Sequence, residues 1–157
     1  MVGRISLAVE LMLGTILIRE ITGGDAAAAA VLNDELGYPV SRDVLRQRIG
    51  SLMGLADHVV YVACLSDEVV GWIHVSETRH LQAEPRAEIG GLVVSSKVRN
   101  GGIGQQLVAR AEDWARQRGL KTVVVRSRLD REGAHRFYLR EGYTRTKTSA
   151  VFTKAFA

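Results

Sequence analysis

Cysteine is almost missing from this sequence, since Cys64 is the only one among 157 residues. A single cysteine excludes an intramolecular disulfide and any zinc site built from several cysteines. It is consistent with a reducing compartment, and we expect a cytoplasmic protein. The four histidines form neither an H-x-H nor an H-E-x-x-H pattern, so a metal site is not expected.

Aromatic residues and long apolar runs are also scarce. Aromatic side chains make up only 6% of the chain, and the basic residues are scattered along it. A nucleic-acid-binding surface needs basic residues on one face with interleaved aromatics, so that class is not favoured. Residues 1–18 are apolar, but Glu10 interrupts them and no cleavage pattern follows, which argues against a signal peptide and a membrane span.

The composition that is present fits one globular domain with a basic surface. Hydrophobic residues make up 46% and charged residues 24% of the chain, with a formal net charge of +4 at pH 7. This balance favours anionic ligands. The length suits a single domain with a sizeable core, which we place at residues 14–157, after an N-terminal extension of residues 1–13.

Residues 88–119 combine a strand, a glycine-rich basic loop and a helix. The β-branched run at residues 88–94 predicts a buried central strand, and Gly119 ends the helix that follows the loop. The first turn of a helix has backbone N–H groups without intrahelical partners and carries partial positive charge. Glycines let an anion approach that backbone closely. This stretch therefore predicts a phosphate site, and a diphosphate is the favoured ligand.

The spacing of the glycines narrows the kind of phosphate ligand. No G-x-x-x-x-G-K-[ST] run is present, and Leu107 stands where the third glycine of a dinucleotide-binding G-x-G-x-x-G would be. What remains is R-x-x-G-x-G, formed by Arg99, Gly102 and Gly104 after the run Leu92–Val94. A tight turn that only caps the helix is the alternative interpretation.

The flanking segments predict an α/β fold with a mixed central sheet flanked by helices, in the order βααβββαβαββ. Asp25, Ser41 and Asp130 are expected to cap helices, and Trp114 to lie in the core. Residues 79–85 are expected to form a polar loop. The remaining predicted elements are strands at 15–22, 58–65, 68–78 and 121–127, helices at 26–36, 42–52 and 131–141, and a final hairpin at 143–156.

The loop formed by Arg99, Gly102 and Gly104 resembles the acetyl-CoA signature of the GNAT superfamily of N-acetyltransferases. Residues 134–143, AHRFYLREGY, resemble the A-x-x-[FL]-Y-x-x-x-G-[FY] helix of the same superfamily, at the right separation. The order of elements is also similar. One departure is Arg131, which stands where the family often has an asparagine. Any cofactor contact made by that asparagine is therefore not carried over.

The resemblance implies acetyl-CoA as co-substrate. Coenzyme A would enter a V between the central strand and the strand at 121–127, which run parallel and splay apart. Its pantetheine would bind the edge of the central strand, and its pyrophosphate would lie on the glycine loop. The cofactor-binding residues implied are Leu92, Val93, Val94, Arg99, Asn100, Gly101, Gly102, Ile103, Gly104 and Gln105.

Two side chains match catalytic positions of the family. Tyr138 stands where a tyrosine general acid is often found, and a phenol with a pKa near ~10 can protonate a thiolate whose thiol has a pKa near ~8.5. Glu88 matches the general base of the histone-modifying branch. The alternatives are an aromatic packed on its helix and a carboxylate that faces solvent or attracts a cationic substrate. The oxyanion donor would be a backbone N–H near Val93 or Val94.

The amine acceptor is expected between the helical hairpin and the final hairpin, near Tyr38 and Lys147. His74 lies in the middle of a strand. It either faces this substrate groove or is bonded to neighbouring strand residues, and we favour the second interpretation.

The sequence therefore predicts an N-acetyltransferase that moves the acetyl group of acetyl-CoA to a primary amine by direct attack in a ternary complex. The acceptor would be a small molecule or a peptide, with no nucleic acid or membrane partner. A non-catalytic acyl-CoA-binding module is the second hypothesis, and a basic nucleic-acid-binding domain is the third. Homodimers are common in the resembled family, and the tail VFTKAFA offers an apolar edge strand to a second copy.

Overall fold

The computed structural model describes residues 14–157, so the expected N-terminal extension lies outside the described residues. The chain forms two compact units, the first ending at Arg126 and the second running from Ser127 to Ala157. The first unit contains, in chain order, β1 Ile16–Glu20, α1 Ala26–Leu36, α2 Arg42–Met53, β2 His58–Leu65, β3 Glu68–His80, β4 Ala83–Val94, α3 Ile103–Gln117 and β5 Val123–Val125. Short 3₁₀ turns lie at Gly23–Asp25 and Ser96–Val98.

The five strands form one mixed sheet in the order β1-β2-β3-β4-β5. The first four are antiparallel neighbours, and only β4 and β5 run parallel. This confirms the predicted fold class. Helix α1 ends where predicted because Gly37 takes the left-handed conformation with φ 93°. Ser41 caps α2, since its side chain accepts a hydrogen bond from the Val44 N–H at 3.2 Å.

Helices cover both faces of the sheet. Side chains of α1 and α2 pack with alternate residues of β2 in one core cluster, and Trp72 of β3 packs against it. We call this the α1/α2 face. On the opposite face, α3 contributes Leu107, which is fully buried, and Arg110, whose guanidinium lies 4.9 Å above the Tyr61 ring. The core thus follows the alternation of side chains along each strand.

Asp25 has a different role from the one predicted. It precedes α1 but makes no capping hydrogen bond to that helix. Its carboxylate instead accepts hydrogen bonds from the Arg19 guanidinium at 2.8 and 2.9 Å and from the Thr22 N–H at 2.8 Å. The Arg19 hydrogen bond is the main reason why the pKa of Asp25 lies below its ordinary value. The residue joins β1 to the start of α1.

Three predicted features of the first unit were wrong in detail. Residues 79–85 are not a polar loop, because β3 and β4 pair as far as His80 opposite Ala83. Pro85 is tolerated there because the register shifts opposite it, where no ladder hydrogen bond is required. Strand β5 is shorter than predicted. Trp114 is only half-buried, because it lies under the Arg118 guanidinium at 4.7 Å rather than in the core.

The second unit consists of α4, Glu132–Arg140, and a tail. Asp130 does not cap α4; its carboxylate accepts a hydrogen bond from Arg128 at 2.7 Å. The predicted final hairpin is also wrong, since none of residues 143–157 is in a strand. An isolated two-stranded hairpin is marginal in water unless it packs on further structure, and the tail side chains are almost all exposed.

Candidate active site

Strand β4 is paired on both sides along only part of its length. Its ladder with β5 ends where Ile89 lies opposite Val125, whereas its ladder with β3 continues to Val94. From Gly90 to Val94, β4 therefore has no strand on its β5 side among residues 14–157. We call this segment the open half of β4. Its edge carries backbone N–H and C=O groups that can pair with an extended ligand.

A β-bulge marks the start of the open half. In the β3–β4 ladder, His74 lies opposite Gly91 and the next residue, Val75, lies opposite Ile89. Gly90 is therefore an extra residue on β4, and such a bulge bends a strand and ends regular pairing. The bend explains why β4 leaves β5 at this point. The double glycine within a strand was the sequence signal for it.

The glycine loop leads from the open half into α3. Gly102 precedes α3 in the left-handed conformation, with φ 79°, and no side chain caps the helix. The first helical hydrogen bond runs from the Gln106 N–H to the Gly102 carbonyl, so the N–H groups of residues 103–105 precede the helical ladder. A Cβ on Gly102 would enter open space. This uncapped helix start fits an anionic group such as a pyrophosphate.

Arg99 lies at the junction of the open half and the loop. Its Nε donates to the Val94 carbonyl at 3.1 Å, and its guanidinium is 3.6 Å from the Glu35 carboxylate at the end of α1. Glu35 also accepts hydrogen bonds from the Ser96 N–H and hydroxyl at 2.9 and 3.1 Å. Glu35 thus anchors the start of the loop, a contact that the sequence did not reveal.

Glu88 lies one row before the bulge, on the α1/α2 face. It is opposite Ser76 of β3 and Val124 of β5. Its carboxylate accepts a hydrogen bond from Arg126 Nε at 3.2 Å, with the two side chains 22% and 55% exposed. Arg86 is two residues earlier on the same face, and its Nε is buried without a hydrogen-bond partner among the described residues. The face therefore carries two arginines, of which Arg126 contacts the Glu88 carboxylate.

His74 lies on the same face and is bonded to a neighbour, as the favoured interpretation predicted. Its Nε2 is 2.9 Å from Nδ1 of His58 in β2, and the two rings stack with centroids 5.2 Å apart. Burial lowers the pKa of His74 below its usual value, and the adjacent His58 lowers it further. His74 is therefore neutral at pH 7.

Tyr138 belongs to the second unit. Its ring makes edge-to-face contacts with Phe137 and Tyr143, with centroids 5.2 and 5.7 Å apart. Burial raises the pKa of the Tyr138 phenol, and the positive charge of Arg131 partly opposes that rise. The phenol therefore remains protonated near neutral pH and can donate a proton. The other predicted site residues, Glu88 and those from Leu92 to Gln105, all belong to the first unit.

Within residues 14–157, no group of three or more histidine, cysteine, aspartate or glutamate side chains is placed to hold a metal ion. In the same range no helix has both the length and the apolar character needed to cross a membrane.

The chain belongs to the acetyltransferase (GNAT) family, whose profile matches residues 26–143. It is 39% identical over 133 residues to the aminoalkylphosphonate N-acetyltransferase of Salmonella typhimurium, covering 83% of this chain and 81% of that protein. It is 30% identical over 141 residues to the aminoglycoside N(6')-acetyltransferase type 1 of Stenotrophomonas maltophilia, covering 86% of this chain and 90% of that protein.

Solved structures show the same fold. The aminoglycoside 6'-N-acetyltransferase AAC(6')-Ih from Acinetobacter baumannii matches with a TM-score of 0.80 at 22% identity, covering 91% of this chain and 100% of that one. AAC(6')-Iy, solved in complex with CoA, matches with a TM-score of 0.80 at 14% identity, covering 89% and 95%. The GNAT fold expected from the two sequence motifs is thus confirmed.

Proposed function

We propose that this protein is an acetyl-CoA-dependent N-acetyltransferase that acetylates a primary amine by direct attack in a ternary complex. The observation that carries the proposal is the open half of β4, which leads through the glycine loop into an uncapped helix. An extended amide chain ending in a diphosphate matches both parts. Leu92, Val93 and Val94 would pair with the pantetheine, and residues 99–105 would hold the pyrophosphate.

The reaction needs few side chains. The amine nitrogen attacks the thioester carbon, a tetrahedral oxyanion forms, and the C–S bond breaks to release a thiolate. A backbone N–H at Val93 or Val94 would stabilise the oxyanion, since rigid main-chain donors need no reorganisation. Tyr138 would give its proton to the thiolate, and the proton that the attacking nitrogen loses as the amide forms would restore the phenol through solvent. Glu88 would orient the acceptor rather than take its proton, because its carboxylate is already engaged by the Arg126 guanidinium.

No acyl-enzyme is required. The lone cysteine, Cys64, is 6% exposed and packs in the core cluster under α1 and α2. A thiol that is buried in the core is not accessible to a thioester, so it is a poor candidate for a nucleophile. Cys64→Ala is therefore expected to leave turnover nearly intact, and no acetyl group should appear on the protein after incubation with labelled acetyl-CoA alone.

The acceptor we favour is a small amine that also carries an anionic group. Arg86, with its unpartnered buried Nε, and Arg126 lie on the face that Glu88 shares, and the chain has a net charge of +4. These cations suit an aminoalkylphosphonate, the substrate type named for the Salmonella relative, better than a polycationic aminoglycoside.

Release of free thiol from acetyl-CoA tests the proposal. Purified protein is incubated with acetyl-CoA and an aminoalkylphosphonate, an alkylamine of equal length without an anionic group, or an aminoglycoside. We expect release only with amine, and highest kcat/KM for the phosphonate. Tight acetyl-CoA binding without amine-dependent release would instead support a non-catalytic acyl-CoA-binding module.

We also propose a homodimer in which the tail pairs with a second copy. Val151, Phe152 and Phe156 are 87%, 93% and 87% exposed, which is unusual for a segment with so much apolar surface. Light scattering at concentrations used for activity tests this, and a monomeric mass would exclude it.

The cytoplasmic location remains a prediction, supported by the lone cysteine.

A further inference from the structure

The histidine pair lies where β4 separates from β5. His58 Nδ1 and His74 Nε2 are 2.9 Å apart, so one of them must carry the proton that the other accepts. Each ring therefore has one nitrogen left for another partner. In a neutral pair, the tautomer with the proton on His74 Nε2 leaves a lone pair on His74 Nδ1.

The free nitrogen of His74 faces the bulge. A Cβ built on Gly90 would be 3.2 Å from His74 Nδ1, so this edge of the ring covers the glycine. Gly90 is the first residue of the open half of β4, the segment that under the proposed function holds the pantetheine end of acetyl-CoA. A side chain larger than hydrogen at Gly90 would separate this nitrogen from the strand.

The opposite end of the pair leads to the surface. His58 Nε2 is 3.9 Å from Asp57 Oδ1, and the Asp57 side chain is 56% exposed. His58 itself is 26% exposed. Two imidazoles and a carboxylate thus form a line from the bulge to solvent.

The burial of His74 and its contact with His58 favour its neutral form. Burial is the main cause of its lowered pKa, and His58 is the second. From α2, Leu52 and Met53 line the small cavity beside His58 with apolar side chains. The titratable and charged groups on the surrounding strands are His58, Glu20 of β1, which lines the same cavity, and Arg86 and Glu88 of β4. Asp57 just before β2 and Arg126 just after β5 complete the set.

We propose that His74 accepts the proton of the acceptor ammonium and passes a proton through His58 to solvent. The ammonium N–H bond breaks, its electron pair stays on nitrogen, and the proton binds His74 Nδ1. The Nε2 proton of His74 moves to His58 Nδ1, and His58 releases its Nε2 proton to Asp57 or water. One proton enters and one leaves, so the pair stays neutral, and exchange with solvent then restores the starting tautomers.

This inference rests on the proposed function and assigns its proton acceptor. An ammonium has no lone pair, so a base near the thioester increases the amount of reactive free amine at neutral pH. Glu88 is on the same face, but Arg126 engages its carboxylate, whereas no cation contacts His74 among the described residues. A neutral imidazole at the bulge is the better proton acceptor.

His74→Gln tests the inference, with His80→Gln as the matched control, since His80 is exposed at the far end of β3. We expect kcat/KM for the amine to fall about 100-fold near neutral pH in His74→Gln. Its activity should then rise about tenfold per pH unit, because only free amine reacts. Calorimetry should give an acetyl-CoA affinity within about twofold of the parent protein, as a purely catalytic loss requires. His80→Gln should keep the parent profile.

A second variant tests whether the proton leaves through His58, and it remains informative if His74→Gln does not fold. His58→Gln should lower kcat/KM about tenfold with the same change in pH profile, and thermal unfolding checks that each variant is folded. Added imidazole should restore activity to His74→Ala in a concentration-dependent way. A parent-like pH profile in both glutamine variants would overturn the inference while leaving the acetyltransferase function standing. Absence of amine-dependent thiol release by the parent protein would overturn both.

Discussion

The two halves of β4 are parts of one strand with different neighbours. From Ala87 to Ile89 the strand pairs with both β3 and β5, whereas beyond the bulge, from Gly91 to Val94, it pairs with β3 alone. The doubly paired half has its backbone groups satisfied within the sheet, which fixes the direction of the strand. The open half keeps a row of backbone groups unpaired on its β5 side. One bulge residue, Gly90, separates the structural part of the strand from the part that we propose to bind acetyl-CoA.

The side chains beside β4 differ in the same way. In the doubly paired half, Ala87 and Ile89 are buried under α3 with 0% and 2% exposure. At the bulge, a Cβ on Gly91 would be 2.8 Å from the Trp72 ring, so the strand can pass there only without a side chain. Close approach of backbone and aromatic ring replaces ordinary packing, which explains two consecutive glycines in a central strand.

The largest effect is expected from Gly102→Val, which breaks the link between the open half and α3. Its Cβ and methyl groups would fill the open space at the helix start, so we expect acetyl-CoA affinity to fall about 100-fold, or ~2.7 kcal/mol. Calorimetry measures the change. The protein should still fold, since a single residue forced into the left-handed region costs about 1–2 kcal/mol.

Gly119→Val is the matched control at the other end of α3. Gly119 has φ 73° and open space around its Cβ, so the substitution causes the same kind of backbone strain. It should lower stability by a similar amount and leave acetyl-CoA affinity within about twofold, because no ligand is proposed there. Equal affinity losses in the two variants would mean that strain alone weakens binding, and the phosphate assignment would fail.

Gly71→Ala disturbs the open half from its paired side. Its Cβ would lie 2.9 Å from the Val93 carbonyl oxygen and 3.2 Å from Leu107, so the backbone of β4 must shift. We expect a loss of about 2 kcal/mol in the free energy of unfolding, together with a higher KM for acetyl-CoA. Gly50→Ala in α2 is the control, because its Cβ meets nothing and alanine favours helix. A Gly71→Ala protein as stable as Gly50→Ala would show that β4 accommodates the added methyl group, which would contradict this prediction.

Local signals explain which parts of this fold could be predicted from the sequence. The bounds of α1 and β2 were predicted correctly, because Gly37 ends α1 and a β-branched run defines β2. The glycine loop was predictable since its chemistry is encoded in consecutive residues. The ends of β3 and β4 were missed because a two-residue turn between polar strands has no apolar alternation to reveal it.

Contacts between distant residues could not be predicted in this way. Glu35 and Ser96 are 61 positions apart, and only the packing of α1 beside the end of β4 brings them together. The same holds for His58 and His74, whose separation of 16 residues says nothing about their cross-strand bond. The predicted hairpin of the tail is absent, because its stability would depend on a partner surface that sequence alone does not supply.

Tyr138→Phe tests the chemistry that the open half is proposed to serve. Removing the hydroxyl takes away the proton donor for the thiolate, so kcat should fall about tenfold, with KM for acetyl-CoA little changed. Steady-state thiol release measures both constants. Tyr143→Phe is a comparison variant from the same aromatic group, and it should reduce kcat less. Full activity in Tyr138→Phe would remove this residue from the mechanism.

The smallest effect is expected from Glu88→Gln, at the last doubly paired rows of β4. Its carboxylate holds a half-exposed guanidinium, and ion pairs of that kind contribute about 0.2–1 kcal/mol. Loss of the negative charge should therefore change kcat/KM for the amine by about threefold, and the pH profile should stay that of the parent. Glu88→Gln/Arg126→Gln measured beside both single variants gives the coupling between the two side chains. A 100-fold loss in Glu88→Gln with a shifted pH profile would make Glu88 the base and exclude His74, and the bulge would then mark only the binding edge of β4.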